Sequence, residues 1–268
     1  MRFAPFAFEN STGLDSDAQL YLNAVTTAGG TYTSNQSQAV NQLFIDLKSN
    51  NLYTKIQALY PFVGGTAASN KFNAKNPVDT DAAYRITFSG GWTYNASGVT
   101  ANGTNCIGNT HLVSTVDLLD YNKHYAFFNR QTSPNSTGWD GIWDSAGTGG
   151  VFGCNLQTGG QLSLGLNFLS GTLGTIPNYN GTFIGSVTGT TNNKFYKDGS
   201  TFYTRTPSVS AFNHSLNFYI GSMNVNGTTQ YYNNNKYGFY AIGTGISTTE
   251  ASIYNTIITN YITTSGRW

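Results

Sequence analysis

The stretch GWDGIWDS sets Trp139 and Asp140, then Trp143 and Asp144, in close succession. Two kinds of chemistry could use it. Paired carboxylates act as acid and base in glycoside hydrolysis, whereas indole faces stack on sugar C–H faces while carboxylates and amides bind the hydroxyls. If the segment is extended, Asp140 and Asp144 share one face with Cα atoms about 13 Å apart at about 3.3 Å per residue. That exceeds the carboxyl separations of roughly 5 to 9.5 Å that hydrolytic pairs use. The chain has only two glutamates, Glu9 and Glu250, so no Glu-rich catalytic strand can be assembled. Binding is the chemistry left, with Trp139, Asp140, Trp143 and Asp144 as one candidate cluster. Tyr231 and Tyr232, followed by Asn233 to Asn235, are a second. The competing expectation is that the tryptophans fill the core, the aspartates sit in a turn-rich loop and YYNNN is a hairpin tip. Trp92 in FSGGWTY reads as core.

Other catalytic and cofactor arrangements are missing. His111, His124 and His214 have no H-x-x-x-H spacing, so neither they nor the cysteines make a zinc motif. No G-x-S-x-G elbow occurs, and GTGGVFG and GTGIST complete no phosphate loop, so no cofactor is expected. A structural calcium held by loop Asp and Asn oxygens is compatible with a β-sandwich, but no D-x-D-x-D-G run points to one. Cys106 and Cys154 read as two reduced core thiols, since no export signal is seen. Triplets at Asn95, Asn102, Asn180 and Asn226 match a glycosylation pattern but read as turn chemistry.

The elements that must carry these clusters follow from composition and period. Charged residues are 9% of the 268, against about 25% in an ordinary soluble chain, and the net charge is +1. A basic nucleic-acid surface is thereby excluded, and no apolar run is long enough to span a membrane. Thr, Asn and Gly carry the polar surface and, with 15% aromatics, favour strands and tight turns. Residues 1–14 read as an extended arm bearing Phe3, Pro5, Phe6 and Phe8. Residues 15–65 read as a helical segment. In it Leu22 and Val25 mark one helix, and Val40, Leu43, Phe44 and Leu47, behind a Thr33/Gln36 capping box, mark another. LYTKIQALY before Pro61 suggests a third. From Thr66 to Ile246 alternating runs such as AYRITFSG and HYAFFNR predict an antiparallel two-sheet sandwich, with a hairpin at Lys197-Asp198-Gly199-Ser200. A closing helix over 248–262, capped by Ser247 and Glu250, should pack through Ile253, Ile257 and Ile258, with Gly266 as its stop.

The run IQALYPFVGGTAASNKFNAKNPVDTDAAYRITFSGGWTYNASGVTANGTN, the strand SLGLNF and the ending YGFYAIGTGISTTEASIYNTIITNYITTSGR resemble virion structural proteins of bacteriophages, especially those of Bacteroidetes hosts. The resemblance covers roughly residues 50 to 268. It implies a mainly β fold, a concanavalin A-like or laminin-G-like jelly roll over 66–268 behind a short helical segment. It also implies a virion protein made in the bacterial cytoplasm, as a tail, fibre or capsid-surface component serving assembly and adhesion. Its partners would be other virion proteins and further copies of itself; the Phe residues of the arm, too few for a core of their own, would dock on such a partner or fold back over the chain's own helical block. A receptor-binding lectin for host surface polysaccharide is the alternative, and a polysaccharide depolymerase a third, disfavoured by the missing acid/base pair.

Overall fold

The computed structural model describes residues 13–118, 121–132, 138–144, 150–157, 161–168, 171–176, 178–190, 192–205 and 215–267. The arm residues Phe3, Pro5, Phe6 and Phe8, and also His214, lie outside them. Helix α1 (Ser16–Thr27) is started by Asp15, whose side chain accepts from the Asp17 and Ala18 amides, and it buries Ala18, Tyr21, Leu22 and Val25 on one face. Helix α2 (Ser34–Ser49) opens on the expected Thr33/Gln36 capping box and buries Val40, Leu43, Phe44 and Leu47.

The expected third helix is instead a 3-10 turn, Tyr53–Lys55, followed by strand β1 (Ile56–Tyr60). Its apolar residues also fit a helical spacing. What decides is the hydrogen-bonding partner available to the backbone, because Ala58, Leu59 and Tyr60 pair with Ile242, Ala241 and Tyr240 of the last strand. Ala58 and Tyr60 then face one core and Ile56 and Leu59 another.

After a single turn of helix, α3 (Ala67–Asn70), and a 3-10 turn, Asp81–Ala83, the described residues are strands and their connections to residue 243. In order these are β2 (Thr87–Ser89), β3 (Thr93–Asn95), β4 (Gly98–Thr100), β5 (Ile107–Val113), β6 (Asn122–Asn129), β7 (Trp139–Trp143), β8 (Val151–Leu156) and β9 (Gln161–Phe168). There follow β10 (Gly171–Thr175), β11 (Gly181–Thr188), β12 (Asn193–Lys197), β13 (Ser200–Arg205), β14 (Asn217–Ile220), β15 (Met223–Val225), β16 (Thr228–Gln230) and β17 (Lys236–Gly243). Helix α4 (Thr248–Thr264) closes the fold behind the expected Ser247/Glu250 capping box.

Among the described residues the strands form two sheets. One runs β13-β12-β11-β6-β17-β4-β3, with β1 also on β17; the other runs β10-β9-β8-β7-β14-β5-β2, with the β15–β16 hairpin attached to β7. All pairings are antiparallel except β15 with β7. The expected β12–β13 hairpin turns on Asp198 and Gly199, both at positive φ, as a two-residue type I′ turn requires. Asn226 and Gly227 make the same turn between β15 and β16. The chain is therefore the mainly β, two-sheet sandwich with N-terminal helices and a C-terminal helix that its sequence predicts.

Between the sheets Phe127 stacks on Phe183 at 5.1 Å and on Tyr240 at 5.5 Å, facing Ile142, Phe152, Phe218 and Ile220. On the other face of the first sheet, Ala126, Phe128, Ile184, Phe239 and Ala241 meet α1, α2 and α4. Buried Arg267 ties the end of α4 down, its Nη1 donating to the Pro61 carbonyl at 2.7 Å and the Tyr261 hydroxyl at 2.8 Å. Trp92 is core, as expected, with its Nε1 donating to the Ile107 carbonyl. Ile253 is only partly buried, so the α4 contact rests on Ala251, Tyr254, Ile257, Ile258, Tyr261 and Ile262. Replacing fully buried Ile258 with Ala should cost about 2 to 5 kcal/mol, read as a lowered urea midpoint. An unchanged midpoint would show that α4 contributes nothing to the sandwich.

Candidate functional site

Strand period two splits the GWDGIWDS cluster. Asp140 and Ile142 point into the space between the sheets, whereas Trp139 and Trp143 point out of the second sheet and away from the helices. Trp139 packs with Val151, Met223 and Val225 in a small outer cluster, and Trp143 sits half-buried against it. Gly141 between them has φ +121°, and a Cβ there would stand 2.2 Å from the Phe152 carbonyl. Only glycine fits so close a backbone approach. Asp144, at the end of the strand, is buried, and its amide donates to the Gly150 carbonyl.

The second cluster arrives from the far end of the chain. The Trp139 amide donates to the Tyr231 carbonyl at 2.8 Å, and Gly138 lies so close to the Tyr232 carbonyl that a Cβ would stand 2.0 Å from it. Tyr231, left-handed at φ +54° and 43% exposed, sets its ring 6.0 Å from that of Trp143, tilted 43°. Trp139, Trp143, Val151, Met223 and Tyr231 line a pocket of about 160 Å³. Thus the structure joins Trp139, Trp143 and Tyr231 in one surface site, while Asp140 is sealed beneath it, Asp144 is buried and Tyr232 stands outside the lining. Val151 and Met223 were not legible as site residues. Each is one apolar residue in a strand, brought in by pairing of β8 and β15 with β7. YYNNN is no hairpin tip but the link from β16 to β17.

Asp140 holds the two halves together. Its Oδ1 accepts from the Gly221 amide (2.7 Å), Asn233 Nδ2 (2.8 Å) and the Tyr237 hydroxyl (2.6 Å). Asn233 Nδ2 also donates to the Trp139 carbonyl, so the segment bearing Tyr231 is pinned to the strand bearing both indoles. Oδ2 is buried with no partner among the described residues. Burial, opposed by the three donors, pushes the Asp140 carboxyl up to about 6. Burial likewise pushes His124 down to about 4, although its Nδ1 meets the Thr244 carbonyl at 2.5 Å. Cys106 and Cys154 are free and buried, and burial holds the Cys154 thiol well above its usual range. No three metal-ligating side chains cluster among the described residues, and no helix there is long and apolar enough to cross a membrane.

No family model and no curated protein matches the sequence. Solved structures do match its shape. A structure of botulinum neurotoxin type C superimposes with a TM-score of 0.50 at 13% identity, over 78% of this chain and 53% of that one. The likeness is one of fold. Domain 4 of a GH43 extracellular arabinanase from Geobacillus stearothermophilus, solved with arabinotriose, gives 0.49 at 15% identity over 75% of this chain and 98% of that one. The binding domain of botulinum neurotoxin serotype G gives 0.49 at 14%, over 76% and 51%. This chain spans about half the length of the two toxin chains.

The two perturbed groups act on stability with opposite sign. Asp140, raised from 3.8 to about 6, keeps its proton in the folded state where the unfolded chain has lost it, so it favours folding increasingly as pH falls from about 6 to 4. His124, lowered from 6.5 to about 4, opposes folding over the same fall, because the unfolded chain takes the proton first. Asp140→Asn removes the first contribution and leaves the second. The variant should therefore lose melting temperature more steeply than the parent between pH 6.5 and 4. Parallel profiles would mean that Asp140 titrates as an ordinary carboxylate.

Proposed function

We propose that this chain is a lectin-like module that binds glycans through the Trp139–Trp143–Tyr231 pocket and is displayed on a phage particle for adhesion to host surface polysaccharide. The observation that carries the binding half is the pocket itself. Two accessible aromatic rings and one buried indole, gathered from distant parts of the chain on the solvent face of a sheet, form an apolar platform of the kind that stacks on a sugar. Its volume is about half that of the smallest drug-sized ligand sites, which run from roughly 300 Å³, so it suits one ring or part of one. The fold is consistent with this use. The type C toxin that shares it enters cells through interaction with two ganglioside molecules.

The particle half rests on the resemblance of residues 50 to 268 to phage virion proteins. In that reading the chain is made in the host cytoplasm, joins other virion proteins and copies of itself, and is anchored by the arm. The non-enzymatic reading is supported by burial. Asp140 and Asp144 are 0% and 1% exposed, so neither reaches a glycosidic oxygen from where it sits.

A glycan array probed with the whole chain should give discrete hits. Trp143→Ala and Tyr231→Ala should each weaken binding at least about tenfold, the loss expected when a stacking contact of order 1 to 2 kcal/mol is removed, with the melting temperature nearly unchanged. Trp139→Ala should also lower the melting temperature, because that side chain is buried. An empty array overturns the proposal. Reducing-sugar release from host capsule that disappears in Asp144→Asn would replace it with the depolymerase.

A further inference from the structure

The walls of the pocket restrict which sugars it can take. None of its five lining side chains is charged, and its floor is Val151 and Met223, exposed 2% and 1%. Gly165 makes the Val151 position possible, since a Cβ there would stand 2.2 Å from Val151 Cβ. The indole nitrogen of Trp143 is shielded from solvent, so it offers no donor to the opening. The side chains of that floor offer a hydroxyl no oxygen or nitrogen to replace its water partners.

The spacing of the rings is equally restrictive. Carbon atoms in contact lie about 3.5 to 4.0 Å apart, so a group held between two parallel faces needs them about 7 to 8 Å apart. Trp143 and Tyr231 are 6.0 Å apart at their centroids. A pyranose cannot be sandwiched there. The same spacing shuts a methyl out from between the two centroids, so a small apolar group has room only beside the tilted pair.

We infer that the site selects an uncharged sugar bearing a methyl group, which lies beside the tilted rings of Trp143 and Tyr231 and rests on Val151 and Met223. This rests on the glycan-binding reading and names the substrate class of the same pocket. The methyl has two chemical sources, C6 of a 6-deoxyhexose or the acetamido group of an N-acetylhexosamine. Recognition through a methyl also suits a chain with so few charges, because it depends on shape and dehydration rather than ion pairing.

Saturation-transfer NMR and competition on the whole chain test this with two matched pairs, L-fucose against L-galactose and N-acetylglucosamine against glucose, with glucuronic acid as the charged control. The methyl sugar of one pair should bind at least about tenfold tighter than its partner, the scale on which an apolar pocket discriminates, and its methyl protons should take up the most saturation. The pair that responds identifies the source. Val151→Thr, nearly isosteric and checked by its melting curve, should reduce that preference to below about threefold. Equal binding within both pairs, or array hits lacking any methyl-bearing sugar, overturns the inference and leaves the glycan-binding reading standing. A preference unchanged by Val151→Thr overturns the placement of the methyl. An array and an NMR panel both without binding overturn the reading and the inference together.

Discussion

The sheet that contains β6, β11 and β17 is buried on both faces, and the rest of the architecture answers to that. Along β17 every residue after Lys236 is buried, and along β11 every residue before Thr188. One parity, Tyr125, Phe127, Phe183 and Tyr240, needs a second sheet over it; the other, Ala126, Phe128, Ile184 and Phe239, needs something else. Helices α1, α2 and α4 supply it, so the helical segment shares a core with the sandwich. With one face of the first sheet committed to helices and the other to the second sheet, the outer face of the second sheet is the broad β surface that no described layer covers. That is where the aromatic pocket lies.

The pocket depends in turn on one buried carboxylate. Asp140 Oδ1 gathers donors from the β14–β15 turn, from the Asn233 side chain and from β17, which lie 81, 93 and 97 positions further along the chain. A carboxyl raised to about 6 is costly to ionise in the interior. Its retention beneath a site, together with left-handed Tyr231, matches the way folds hold strain where geometry matters more than stability. The indoles and the tyrosine are thus held by backbone and carboxylate contacts as well as by packing on one another.

Recognition by such a surface is apolar in its centre and uncharged at its walls. Long-range steering has little part in it, since the whole chain carries a net charge of +1. In the glycan-binding reading proposed above, affinity would come from ring stacking and excluded water, so single sites of this size would bind weakly and many displayed copies would raise avidity. A displayed, repeated module and a weak sugar site are therefore mutually consistent.

Local chemistry in the sequence determined the capping boxes at Thr33 and Ser247, the α4 face, the Asp198-Gly199 turn, the alternating strands and the scarcity of charge. Each depends on residues within a few positions of one another, where period and propensity speak directly. The sequence also marked Trp139, Trp143 and Tyr231 as candidates, because exposed stacking chemistry needs those residue types. It could not tell that Asp140 would be sealed inside while its neighbours faced out, since a strand's two faces are named only when a second sheet covers one of them. Residues 56–60 fit a helix by spacing and became a strand because β17 had a free edge to pair with. Val151, Met223 and the meeting of Tyr231 with Trp143 were decided by the tertiary structure alone: strand pairing joins residues by register across the sheet, and register leaves no trace in the spacing along a single chain.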